Sequence, residues 1–317
     1  MGYRSRQKSL INVRKLLASI AATVLCLSVA AVCILSAFVP AGSWKYYFSL
    51  PKAISAKAGE LKLHYLDAEN GDCVLIQLPD GKTALIGGGA DDGQARENIF
   101  RYLNALGIKS LDALIVPDPS QRGVGALCGV IDYYDVERVY LPTVGKSGSA
   151  YSTFVAEIER RGIPSYDLTV GEIWGGAYSL RVLYPLKSGF SVEETVLALS
   201  YGETDVLLGG RCDEEVCQAL MLEKELGLWE KWGTLFDHFD VMQVQTDMDS
   251  AVLADFIEVF SCETAILSCR GGESYSPSKE LLQTLGSLGV QAFRTDEIGH
   301  VAVTVDNNGY TVESIRS

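Results

Sequence analysis

Leu63-His64-Tyr65-Leu66-Asp67-Ala68-Glu69-Asn70-Gly71-Asp72-Cys73 is the stretch on which the fold turns. Over residues 61–66 the side chains alternate as they do in a half-buried strand. The run then breaks into Asp, Glu, Asn and Gly, residues that favour turns. Working outward, residues 74–78 and 83–86 are a second pair of strands around Asp80-Gly81, a good hairpin turn. Residues 95–106 read as an amphipathic helix ended by Gly107, and 113–116 as a short buried strand. A helix over 124–134, a strand over 139–141 and a helix over 151–161 stopped by Gly162 and Pro164 follow. The second half repeats the alternation. It has strands at 180–184, 195–201, 205–208, 241–244 and 265–268, and helices at 213–225, 251–260 and 278–288. Two or three final strands turn at Asn307-Asn308-Gly309. Hairpins, then β/α alternation, then hairpins again predict an α/β (α+β) domain of two half-domains, with sheets face to face and helices outside.

The N-terminal region differs in kind. Arg4, Arg6, Lys8, Arg14 and Lys15 precede an uncharged run over 16–39, long enough to span a hydrocarbon core as a helix. With the positive charge on its N-terminal side, the run reads as an uncleaved signal-anchor of a single-pass type II protein of the cell membrane. Residues 1–15 are then a cytoplasmic basic segment, 16–39 the transmembrane helix, 40–59 a juxtamembrane linker and 60–317 an extracytoplasmic domain. The rest of the chain carries 22 basic against 40 acidic residues, a net of −18. Such a surface repels phosphate backbones, so no extended nucleic acid is expected as a partner. Cys73, Cys128, Cys212, Cys217, Cys262 and Cys269 contain no CxxC, and a domain of this size needs no staples, so buried free thiols are expected.

The quoted stretch resembles the opening strand and turn of the metallo-β-lactamase superfamily, and within it the C-terminal domain of the ComEC competence-channel protein and its free-standing relatives, which read roughly H-F-L-D-V-G-Q-G-D. Leu78-Pro79-Asp80-Gly81-Lys82, Ile86-Gly87-Gly88-Gly89, Leu111-Asp112-Ala113-Leu114-Ile115 and Arg294-Thr295-Asp296-Glu297-Ile298-Gly299 extend the similarity in order, over about residues 60 to 315. The resemblance implies a four-layer αββα sandwich, with one or two zinc or manganese ions in a cleft activating water, often against phosphodiesters. The sequence departs from the family where the metal would sit. The motif T-H-P-D-A-D-H-I-G-G falls on residues 117–126. Its first ligand becomes Asp118, the next Ser120, its acid Arg122 and its final histidine Gly123. The bridging acid of T-G-D becomes Arg211, and H-H-G-S falls near Gln245-Thr246-Asp247. The late histidine before proline becomes Ser276, and the Asp of I-D-G-G becomes Gly87.

Coordination chemistry leads to the same reading. A catalytic zinc typically takes three His, Asp, Glu or Cys ligands, and a two-metal site about twice that number. The chain has three histidines, His64, His238 and His300, and no HxH or HxxxH pair. His64 is expected to satisfy a local hydrogen bond. Arg122 and Arg211 remain charged and oppose a divalent ion, and a carboxylate is expected in contact with one of them. Gly87-Gly88-Gly89 reads as a tight turn rather than a phosphate cradle, since no GxxxxGK follows. Asp91-Asp92 and Asp247-x-Asp249 read as loop or helix-start acids rather than calcium ligands. Ser120, Ser250 and Ser276 lack a G-x-S-x-G elbow. The expectation is a pseudoenzyme with no metal cofactor, a binding or assembly module for an unknown protein partner. Two alternatives stay open: a phosphodiesterase-class hydrolase rebuilt on Asp118, Asp247 and Asp249, and small-anion or nucleotide binding by Arg122 and Arg211.

Overall fold

The computed structural model describes residues 17–31, 33, 51–69, 71–143, 148–184, 195–209, 214–229, 236–270 and 276–315. The chain divides into two compact units, Met1–Phe48 and Ser49–Ser317. In the first unit, residues 17–31 form a helix, α1, with exposed side chains. Among the described residues no helix is long and apolar enough to cross a membrane. The expected span over 16–39 is therefore not found as such: residues 17–31 and Cys33 are helical, and the remainder lies outside the described residues.

The second unit is built on two large sheets. The first runs β17 (Gly309–Ile315), β16 (His300–Asp306), β1 (Leu61–Tyr65), β2 (Val74–Gln77), β3 (Thr83–Ile86), β5 (Ala113–Ile115), β7 (Val139–Pro142), β8 (Ser165–Leu168). The second runs β15 (Gln291–Arg294), β14 (Thr264–Leu267), β13 (Val241–Gln243), β12 (Thr204–Leu208), β11 (Val196–Tyr201), β10 (Tyr178–Tyr184), β9 (Gly171–Trp174). β4 (Ser110–Leu111) and β6 (Asp135–Val136) form a small separate ladder. Each large sheet is part antiparallel and part parallel. β3, β5, β7 and β8 run parallel in the first, and β12 to β15 in the second.

Strand side chains alternate between faces, and this parity sorts the apolar residues into layers. Leu61, Leu63, Tyr65, Val74, Ile76, Ala84, Ile86, Ala113 and Ile115 meet Leu197, Leu199, Val206, Leu208, Val241 and Ile266 between the sheets. Their neighbours of opposite parity, Val196, Ala198, Leu207, Met242, Ala265 and Leu267, pack with Val216, Leu220, Leu253, Phe256, Phe260 and Leu281. Those partners come from α6 (Glu214–Glu225), α7 (Ser250–Phe260) and α8 (Lys279–Ser287), which cover the second sheet. Over the first sheet lies α2 (Gly93–Ala105), which buries Ile99, Phe100, Tyr102 and Leu103 and is capped by Asp92, whose side chain accepts from the Gln94 N–H.

The elements agree with the sequence reading except in a few places. The helix expected over 124–134 is two, α3 (Gln121–Val124) and α4 (Leu127–Tyr133). The helix over 151–161 is α5 (Ser149–Arg161), closed by Gly162 in the left-handed conformation. The edge strands β8 and β9 and the short helix α9 (Thr295–Ile298) were not expected. The domain also begins earlier than residue 60: Pro51 is buried, the Ala56 N–H donates to Gln77 Oε1, and Tyr201 donates to the Gly59 carbonyl. Cys73, Cys262 and Cys269 are buried free thiols and Cys128 a half-buried one; Cys217 is buried, and Cys212 lies outside the described residues.

Candidate functional site

A small polar cleft opens where the C-terminal ends of β5, β13 and β14 meet the β1–β2 turn. Asp72, Asp118, Arg122, Gln245, Thr246 and Asp247 line it, with Gly71, Val244 and Ser268. Four residues expected at the site, Asp118, Arg122, Gln245 and Thr246, are thus brought together. Ser120 and Gly123 belong to the same wall through α3. Ser276 is not among the lining residues, and Arg211 lies outside the described residues.

The wall after β5 is locally self-satisfied. Asp118 Oδ1 accepts the Ser120 N–H at 2.7 Å, and its Oδ2 accepts the Ser120 hydroxyl at 2.6 Å. Ser120 Oγ in turn accepts the Arg122 N–H at 3.2 Å as the N-cap of α3. The backbone here is tightly closed. A Cβ on Gly123 would stand 2.0 Å from the Asp118 carbonyl oxygen, and one on Gly71 would stand 2.4 Å from the Arg122 carbonyl oxygen. The Gly87, Gly88 and Gly89 N–H groups donate to the Ile115, Gly123 and Asp72 carbonyls. All three donors of that turn are therefore used inside the protein, and none is left to cradle a phosphate.

The floor of the cleft joins the two sheets. Gln243, the last residue of β13 and 5% exposed, donates through Nε2 to Asp72 Oδ1 at 2.5 Å and to Ser268 Oγ at 3.2 Å. Burial pushes the Asp72 carboxyl up to about 6. Hydrogen bonds from Ser268 and Gln243 and the charge of Arg122 act against the shift, while Asp118 adds to it. Arg122 is exposed at the rim and forms no ion pair among the described residues. The carboxylate contact expected for Arg122 or Arg211 is not made by Arg122 among the described residues, and Arg211 lies outside them; the charge of Arg122 acts on Asp72. A second tie lies nearby: Arg270 Nε pairs with Glu69 at 3.0 Å and Nη1 with Asp92 at 3.4 Å. Glu69 has φ 59°, where the resembled family has glycine.

Zinc or manganese does not fit these donors. The cleft presents no imidazole, both Asp118 oxygens are engaged by Ser120, a guanidinium stands at the rim and Gly123 has no room for a side chain. Among the described residues no group of three or more His, Cys, Asp or Glu is placed to hold a metal ion. Asp249 of the rebuilt-site alternative instead caps α7, accepting from the Ala251 and Val252 N–H groups, and it is not among the lining residues. The histidines are elsewhere. His64 Nε2 lies 3.0 Å from Gln77 Oε1, which can only accept, so Nδ1 accepts from Tyr102 Oη at 2.8 Å. These partners are distant in sequence, not local as expected. His300 Nδ1 accepts the Asp67 N–H, and its ring packs on Tyr102. His238 lies 3.4 Å from Asp240 at the opposite end of the second sheet. Asp72, Gln243 and Ser268 were not read as site residues. Only the Gly-Asp turn hinted at Asp72, and a glutamine or serine at a strand end carries no signal of its own.

Two facing mixed sheets with helices outside, and a polar cleft at the strand ends, define the metallo-β-lactamase fold, and this chain has it. A solved metallo hydrolase from the hyperthermophilic archaeon Ignicoccus hospitalis is similar at 10% identity and TM-score 0.50, over 81% of this chain and 100% of that one. A point mutant of CmlA β-hydroxylase is similar at 13% identity and TM-score 0.49, over 76% of this chain; only 53% of that chain is spanned. A zinc-dependent hydrolase of the metallo-β-lactamase superfamily from Thermotoga maritima gives 8% identity and TM-score 0.40, over 70% of this chain and 84% of that one. At these identities the likeness is one of fold. No family model and no curated protein sequence matches the chain.

Proposed function

We propose that this chain is a membrane-anchored, extracytoplasmic metallo-β-lactamase-fold domain of ComEC type, without catalytic activity, that serves as a binding or assembly module. The uncharged run over 16–39, with its basic N-terminal flank, supports the anchor and the orientation. The observation that carries the loss of catalysis is the closure of Gly123 onto the Asp118 carbonyl, 2.0 Å from where a Cβ would stand. The position that a ligand histidine would need is occupied by backbone, and Arg122 beside it brings a permanent charge.

Metal analysis of the full-length chain tests the reading, together with a phosphodiesterase assay in the presence of zinc or manganese. The expected result is less than one equivalent of metal and no turnover. A stoichiometric ion supporting hydrolysis that Asp118→Ala abolishes would overturn it. A second reading, that the cleft holds a small anion, is favoured by Arg122 standing at the rim with no ion pair among the described residues. It requires inorganic phosphate to raise the melting temperature of the full chain and Arg122→Ala to remove that rise.

A further inference from the structure

The Gln243 side chain leaves one group unsatisfied. Its Nε2 has two acceptors, Asp72 Oδ1 and Ser268 Oγ, but its Oε1 is buried and has no donor among the described residues. A buried carbonyl without a donor carries a desolvation penalty, and native structures hold few such groups. The neighbour that could supply the proton is Asp72, which as a carboxylate has none to give. As a carboxylic acid it does. Its O–H would then point at Gln243 Oε1 while its other oxygen keeps the bond from Nε2, closing a two-point pair between an acid and an amide.

We propose that Asp72 and Gln243 form a proton-operated clasp between the two sheets, held by one hydrogen bond when Asp72 is ionised and by two when it is protonated. The two residues are 171 apart in the chain, Asp72 in the β1–β2 turn of the first sheet and Gln243 at the end of β13 in the second, so the bond count sets how firmly the cleft floor is held. The charged groups around Asp72 are Asp118 and Arg122 on the β5–α3 wall and Asp247 beyond β13. Asp118 disfavours the carboxylate and Arg122 favours it, while Ser268 hydrogen-bonds to it from the end of β14. Burial places the titration near pH 6. The clasp concerns how the walls are joined, not what the cleft holds, so it stands apart from the reading above.

The test uses the full-length chain. In wild-type protein, the Gln243 side-chain amide resonances, followed by NMR from pH 4.5 to 7.5, shift with a midpoint near 6. Resonances that stay fixed through that range overturn the clasp, and this measurement needs no variant to fold. Asp72→Asn mimics the protonated acid by offering a permanent donor to Oε1. It raises the melting temperature by several degrees at pH 7.5 and by little at pH 5. In a Gln243→Met background the gain at pH 7.5 falls by half or more. If the full gain persists there, burial of Asp72 alone explains its titration and the clasp does not exist. Comparing variants at one pH cancels the titration of His64 and His300.

Discussion

Two polar regions of the domain handle buried charge in opposite ways. Between the first sheet and α2, every imidazole nitrogen of His64 has a partner, and the His300 Nδ1 takes a backbone N–H. Burial pushes the two histidines down, to about 3 and about 4, so they stay neutral. At the cleft, one carboxyl is pushed up to about 6, one amide carbonyl lacks a donor and one guanidinium lacks an ion pair among the described residues. A satisfied polar layer fixes a structure, whereas a partly satisfied one is a place where protons or ligands can still act. Two of the chain's three histidines sit in the satisfied layer, and none is among the residues lining the cleft.

Three perturbations break or sharpen this contrast. The largest concerns the histidine layer. In the unfolded chain His64 binds a proton below pH 6.5, and in the folded protein only near 3, so the unfolded state gains protons first as the pH falls. Stability is complete above 6.5 and drains away through that window, by about 4–5 kcal/mol from His64 alone. Urea denaturation across pH shows this acid arm. His64→Gln, which keeps a donor and an acceptor but no titration, flattens it. An unchanged arm in the variant would mean that the layer is not what acid attacks.

Next in size is the cleft wall. Gly123→His forces a Cβ against the Asp118 carbonyl and should cost about 3 kcal/mol or more, read as a lowered denaturation midpoint. A stable Gly123→His protein that gained a zinc ion would show that the cleft lacks only a ligand. The smallest effect belongs to the Arg270 tie. Arg270→Met removes ion pairs to Glu69 and Asp92 in which the arginine is about half exposed. The loss should be about 0.5–1 kcal/mol and should shrink in high salt. A loss several times larger, insensitive to salt, would make this tie part of the core rather than of the surface.

Much of the fold was legible because the strands that build it are two-faced. The apolar runs at residues 74–78 and 83–86, with Asp80-Gly81 between them, mark a hairpin from local chemistry, and the observed register pairs Val74 with Ile86 and Gln77 with Thr83. β8 and β9 were missed because Ser-Tyr-Asp-Leu and Gly-Glu-Ile-Trp lie at sheet edges, where little is buried and no apolar period is required. The span expected over 16–39 was read from composition, and only residues 17–31 and Cys33 of it are described. At the site, sequence pointed to Asp118, Arg122 and Thr246 through short motifs. Gln243 and Ser268 escaped because their roles depend on partners from other strands.

By itself, then, the sequence determined the acidity of the domain, the scarcity of imidazole and the period-two pattern that gives each strand an inner and an outer face. These are properties of composition and of neighbours along the chain. Only the tertiary structure decided that β1 pairs with β16, that the Asp67 N–H meets His300 across 233 residues and that the backbone at Gly123 closes on Asp118. Such contacts arise when two sheets pack, and a local pattern specifies which face is buried without specifying what it is buried against.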